Sequence, residues 1–138
     1  VRQWLENFKG RIFVCSGNHD VDGSGDAAWM RMPNVYADGD IKTIEGIKFG
    51  CVPYMCTDIL DFAECDVLLA HVPPAHTQTA VEHGRDFGDK ELYRALKHGL
   101  LKAKIILCGH VHDPLSRVDK IGNCKVYNSS LGLNILEI

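Results

Sequence analysis

Three uninterrupted apolar runs, at residues 12–15, 67–70 and 105–108, each give way at once to a polar segment that carries histidine. Short apolar runs bounded in this way are the pattern of strands buried on both faces of a helix-covered sheet. The segments that follow them are Ser16-Gly17-Asn18-His19-Asp20, His71-Val72-Pro73-Pro74 and Gly109-His110-Val111-His112-Asp113-Pro114. Loops at the carboxyl ends of such strands are where α/β proteins assemble their sites. The repetition therefore predicts an α/β sheet with a polar cluster gathered at one end of it.

The rest of the chain fits around that sheet. Trp4, Leu5 and Phe8 share one helical face, and Lys9-Gly10 stops the helix before the first run. Ser24 or Asp26 is placed to cap a short helix over residues 27–30. Residues 41–44 and 47–54 alternate around Glu45-Gly46 as a hairpin, and a second hairpin over residues 117–127 turns at Gly122-Asn123. Asp89 precedes a helix whose Leu92, Leu96 and Leu100 lie four apart on one face and are expected in the core. Residues 133–138 read as a closing edge strand. With no repeat, linker or low-complexity tract, residues 1–138 are expected to form a single domain.

Composition narrows the function classes. Hydrophobic residues at 46% and charged residues at 24% match a folded globular chain rather than a disordered one. No apolar run approaches the roughly 20 residues of a membrane helix, so no membrane partner is expected. A formal net charge of -3 and the absence of a lysine or arginine run argue against nucleic-acid binding by bulk charge. The six cysteines lack C-x-x-C pairing and sit in or beside apolar runs, as reduced, mostly buried thiols of a cytoplasmic protein do. The Asn128-Ser129-Ser130 sequon carries no weight without a secretory context.

Histidine and asparagine in these loops point to metal chemistry. Neutral imidazole nitrogens and an amide oxygen suit Mn, Fe, Zn or Ni, whereas calcium wants mostly carboxylate oxygens. Successive alternate residues of a strand face opposite sides, so His110 and His112 both ligate only where the chain bends or where two metals are straddled. Gly17 permits a tight turn at its strand end, Asn18 offers a side-chain oxygen, and His19 remains as an acid or charge-stabilising group. Any one of these histidines, taken alone, reads as an ordinary loop residue. His76 and His83 read as exposed loop residues, and His98 as a helix-end cation facing the carbonyl dipole. Asp20 and Asp113 are placed to accept hydrogen bonds from ligand histidines.

Taken in order, Gly17-Asn18-His19-Asp20, His71 before Pro73-Pro74, and Gly109-His110-Val111-His112 resemble the carboxyl-terminal part of the calcineurin-like metallophosphoesterase family. Residues 119–132, with Asn128-Ser129-Ser130-Leu131-Gly132, also resemble the strand and asparagine turn that follow this element in small members. The resemblance implies an α/β two-sheet sandwich flanked by helices, with two divalent metal ions, Mn favoured. It implies that Asn18, His71 and His110 ligate one metal and His112 the other, while His19 contacts the phosphate and stabilises or protonates the leaving oxygen. The implied reaction is hydrolysis of a small phosphomonoester or phosphodiester by a metal-activated hydroxide, held between ions about 3.5 to 4 Å apart.

The family pattern also begins with an Asp-x-His and a Gly-Asp-x-x-Asp, and neither occurs in the sequence. Gly25-Asp26, Gly39-Asp40 and Gly88-Asp89 lack the second aspartate at the right offset and follow the Gly-Asn-His-Asp element. The absent elements would supply two ligands of the first metal, the bridging carboxylate and the aspartate that orients the histidine. The resemblance thus implies an amino-terminally truncated domain, with residues 1–10 leading into a later strand and an uncovered sheet region where the first strand belongs. Two rival readings fit the sequence less well. His110-Val111-His112-Asp113 superficially resembles the H-x-H-x-D-H element of metallo-β-lactamases, but the spacing fails. A metal-free scaffold that binds protein partners has no need of Asn18, His19, His71, His110 and His112 together.

Overall fold

The computed structural model describes residues 2–20 and 30–138. In chain order the elements are α1 (Arg2–Asn7), β1 (Ile12–Phe13), β2 (Val35–Tyr36), β3 (Ile41–Ile44), β4 (Ile47–Cys51), a 3-10 turn (Ile59–Phe62), β5 (Val67–Leu69), β6 (Val81–Glu82), β7 (Arg85–Asp86), α2 (Lys90–Lys97), β8 (Ile105–Cys108), β9 (Val118–Ile121) and β10 (Cys124–Asn128). The expected helix over residues 27–30 falls almost wholly outside the described residues.

The apolar runs at 67–70 and 105–108 become the two central strands of a six-stranded sheet ordered β3-β4-β5-β8-β10-β9. Strands β4, β5, β8 and β10 run parallel, and the two hairpin partners β3 and β9 lie antiparallel at the edges. The first hairpin turns at Glu45 and Gly46, both at positive φ (50° and 81°). Such a turn matches the twist of the strands it joins, and glycine tolerates that conformation best.

Alternation along the strands divides the sheet into two unlike faces. One face carries Leu68, Ile106 and Val126, all fully buried, against Leu92, Ala95 and Leu96 of α2 and Phe62 of the 3-10 turn. Helix α2 begins at Asp89, whose carboxylate accepts the Leu92 N–H at 2.9 Å. On the opposite face Val67 is buried, but Leu69, Ile105, Leu107 and Tyr127 are only half-buried. The second layer over that face is the short parallel pair β1–β2, seated by stacking of Phe13 on Phe49 and Tyr36 at 4.9 Å. Among the described residues β1 has β2 as its sole neighbour, so its other edge is open. The architecture is thus the expected mixed α/β fold, with a much smaller second sheet than first.

Five local expectations need correction. Residues 12–15 form a strand over Ile12–Phe13 alone, and the central strands are closely covered on one face rather than two. Among the described side chains of α1 only Leu5 is buried, while Trp4 and Phe8 stack on each other at the surface, because a helix this short presents one residue to the neighbouring Ile12 and Val35. Leu100 is exposed, because α2 ends at Lys97 and the turn through Gly99 breaks the four-residue spacing. Residues 133–138 form no strand, and Leu133 and Ile135 are among the most exposed side chains.

Candidate metal centre

Parallel register places two of the histidine loops side by side. Leu69 of β5 pairs with Leu107 of β8, so the chain leaves both strands at the same level. The Gly109 N–H donates to the His71 carbonyl at 3.0 Å, and this joins the loops directly. The third loop arrives from β1 and is held by its own polar contacts. Asp38 accepts the Ser16 N–H at 2.7 Å, Asp20 accepts the Gly17 N–H at 2.9 Å, and the buried Ser16 hydroxyl accepts the Tyr54 N–H at 3.1 Å.

These contacts bring three lone-pair atoms to one place. His71 Nε2 lies 2.8 Å from Asn18 Oδ1 and 3.1 Å from His110 Nδ1. A neutral imidazole carries one N–H, so His71 Nε2 either donates to Asn18 Oδ1 or accepts from a His110 Nδ1–H, and without a cation one of the two contacts sets lone pair against lone pair. The His71 and His110 rings meet edge to face with centroids 4.9 Å apart, and Tyr54 meets His71 the same way at 5.6 Å. Burial lowers the pKa of His71, with the nearby His110 second; burial lowers that of His110, with His112 second. Both imidazoles are therefore held in the neutral form that a metal ligand requires.

Gly17 matters for a reason the turn argument missed. A Cβ there would sit 2.6 Å from the His71 ring, so glycine is needed for close approach. The bend required of the Gly-His-x-His element is present, since His110 lies at φ 65°. Beyond it Val111 is buried and His112 turns out to solvent.

The expected site residues separate into two groups. Asn18, His71 and His110 touch; His19 and His112 are exposed, near enough for their charges to lower the proton affinity of His71. Among the described residues no group of three or more His, Cys, Asp and Glu side chains closes on one point. The donor set is two imidazoles and one amide oxygen, which suits a borderline transition metal and falls short of a full coordination sphere. Among the described residues no hydrogen bond joins Asp20 or Asp113 to these histidines, although the Asp20 carboxylate is near enough to raise the proton affinity of His71. Asp20 closes its own turn on Gly17, and Asp113 uses its backbone N–H to bind Glu82 at 2.6 Å. His76 pairs with Asp86 at 3.4 Å and with the Tyr93 ring, and His98 caps the end of α2.

Cys15 and Cys108 line a shallow groove beside His71 together with Leu69 and Leu107. All six cysteines are free thiols. Burial pushes the Cys15 thiol up to about 12, and nearby Asp38 adds to the effect. Burial also raises Cys108. Burial therefore favours the protonated form of both thiols. Sequence reasoning assigned no role to Ser16 and passed over Tyr54 and Glu82, which carry no motif; only the apolar and polar spacing after β4 hinted that Tyr54 would lie at a strand's carboxyl end.

A parallel sheet with asparagine and two neutral histidines converging at the carboxyl ends of its strands defines the chain as an α/β protein with a candidate transition-metal centre. The model of the calcineurin-like phosphoesterase family matches residues 1–114, and the chain belongs to that family, a family of metal-dependent phosphoesterases. No curated protein matched the chain.

Proposed function

We propose that this chain carries the histidine half of a phosphoesterase centre that hydrolyses a small phosphomonoester or phosphodiester. The convergence of Asn18 Oδ1, His71 Nε2 and His110 Nδ1 supports this reading above all, because it gathers lone pairs where only a cation or a single shared proton relieves them. In this reading Asn18, His71 and His110 hold one divalent ion, with Mn favoured, and His112 serves a second from the solvent side. Bound metal ions supply the positive charge that activates water and draws negative charge off the phosphoryl group. His19, exposed beside the cluster, contacts the phosphate and gives a proton to the leaving oxygen. Residues 1–138 form one domain in this reading, and the Asp-x-His and Gly-Asp-x-x-Asp carboxylates of the family pattern are not among its residues. The open edge of β1 and the half-buried face beside it leave backbone groups and apolar surface free to take a further strand. The reduced state of the thiols fits a cytoplasmic setting.

Two measurements test this reading. Equilibrium dialysis of the purified protein against Mn2+ or Zn2+ is expected to return bound metal that His71→Ala removes. Wild-type protein without stoichiometric metal would overturn the assignment. In the active protein, His19→Asn is expected to keep its metal and to slow hydrolysis of an alkyl phosphate by about 10²- to 10⁴-fold, with a smaller loss on a nitrophenyl ester. Unchanged turnover on the alkyl ester would remove His19 from the reaction.

A further inference from the structure

We propose that Asn128 is the positioning residue of this site: its buried amide clamps the 109–112 loop and so aims His110 Nδ1 at His71. The inference rests on the reading of His71 and His110 as ligands, and Asn128 lies beyond the residues that match the family model.

Asn128 ends β10 and pairs in register with Cys108, the last residue of β8. Its side chain is 1% exposed. The Nδ2 group donates to the Val111 carbonyl at 3.0 Å and to the Thr79 carbonyl at 3.1 Å, and Oδ1 accepts the Ser130 N–H at 2.9 Å. One amide therefore joins the histidine loop, the segment after Pro73-Pro74 and the turn after β10. No other side chain of this size presents two N–H donors and one acceptor together. Aspartate would set a carboxylate oxygen against two carbonyl oxygens, and an apolar residue would leave both carbonyls buried without a partner.

The clamp acts where the backbone is least able to hold itself. His110 is a non-glycine residue in the left-handed region, a conformation that persists only where the surroundings fix it. The neighbouring groups are tied down: the Gly109 N–H to His71, the Gly109 carbonyl to the Val111 N–H at 2.7 Å, and the Val111 carbonyl to Asn128. Loss of the last tie frees the Val111 carbonyl to seek water, lets His110 relax toward ordinary φ, and turns its ring away from His71.

The test uses the full chain carrying Asn128→Ala, or Asn128→Ser, which keeps one donor, if the alanine variant does not fold. Folding is checked by far-UV circular dichroism and by the dispersion of core methyl resonances. The deciding readout is the long-range 1H–15N spectrum of the imidazoles without metal, which reports the tautomers of His71 and His110 and the hydrogen bond between them. A folded variant is expected to lose that signature and to bind Zn2+ about 10- to 100-fold more weakly than wild type, the usual cost of removing a group that orients a ligand. A folded variant that keeps the imidazole signature and binds Zn2+ within twofold of wild type would overturn the proposal, as would a wild-type spectrum without the His71–His110 bond. Wild-type protein that shows the bond but takes no Zn2+ would instead defeat the metal reading, and the imidazole spectra would still decide the role of Asn128.

Discussion

The two faces of the central sheet use the same strands to opposite effect. On the α2 face, Leu68, Ile106 and Val126 are wholly removed from water and pack on Leu92 and Leu96. On the other, Leu69, Ile105 and Leu107 stay half-buried under the small β1–β2 layer. Stability is concentrated on the first face, because hydrophobic stabilisation follows the apolar area removed from water. The candidate site lies at the strand ends beside the second, where loosely covered backbone leaves room for loops to converge. The molecule separates the part that holds the sheet together from the part that does chemistry.

The sharpest way to break this comparison is to truncate adjacent residues of β8. Ile106→Ala is expected to cost about 2 to 5 kcal/mol, as large-to-small changes in packed cores do. Leu107→Ala, one residue on and facing the open side, is expected to cost about 1 kcal/mol, since less apolar area is lost from cover. Urea denaturation of both variants measures the difference; equal losses would show that the faces are equally packed.

A smaller effect is expected at the helix that covers the buried face. Asp89→Ala removes the carboxylate that caps α2 and is expected to lower stability by about 1 kcal/mol. Asp89→Asn, which keeps the acceptor, should recover most of it.

The site end should announce itself in acid. His71 and His110 are held below the ordinary imidazole value of 6.5, so the unfolded chain takes up protons first as pH falls. Their contribution is fully present above pH 6.5 and is lost as pH drops through 6.5 toward the folded values. Thermal melts between pH 7.5 and 5.5 are expected to show a steeper decline for wild type than for a His71→Asn/His110→Asn double variant. Identical slopes would mean that burial does not hold these imidazoles neutral. The smallest change is expected at Leu100, where substitution by serine should alter stability by less than about 0.5 kcal/mol, as at ordinary surface positions.

Where local pattern and structure parted, long-range packing was the cause. The hairpins at Glu45-Gly46 and Gly122-Asn123 and the cap at Asp89 were legible because each depends on residues a few positions apart. Alternation in residues 133–138 had the same local strength as in β9, yet β9 has β10 for a partner and residues 133–138 pair with no strand among the described residues. Leu100 kept its spacing from Leu96, but the chain had already turned out of the helix. In the site, residue type identified Asn18, His71 and His110, while Tyr54 and Glu82 carried no readable mark because their roles come from neighbours 17 and 31 residues away in sequence.

The sequence by itself determined the chemistry on offer: apolar strands that end in asparagine and histidine, neutral-ligand donors rather than carboxylates, and the order of motifs that marks the family. Only the tertiary structure decided which of those donors meet. Asn18 and His71 are separated by 53 residues and His71 and His110 by 39, so their contact depends on strand order and on the Leu69–Leu107 register. The left-handed bend at His110 and the grip of Asn128 on Val111 depend on it too. Proximity of this kind is a property of the paired sheet, because hydrogen bonds between strands, not the chain leading into each loop, set where the loops begin.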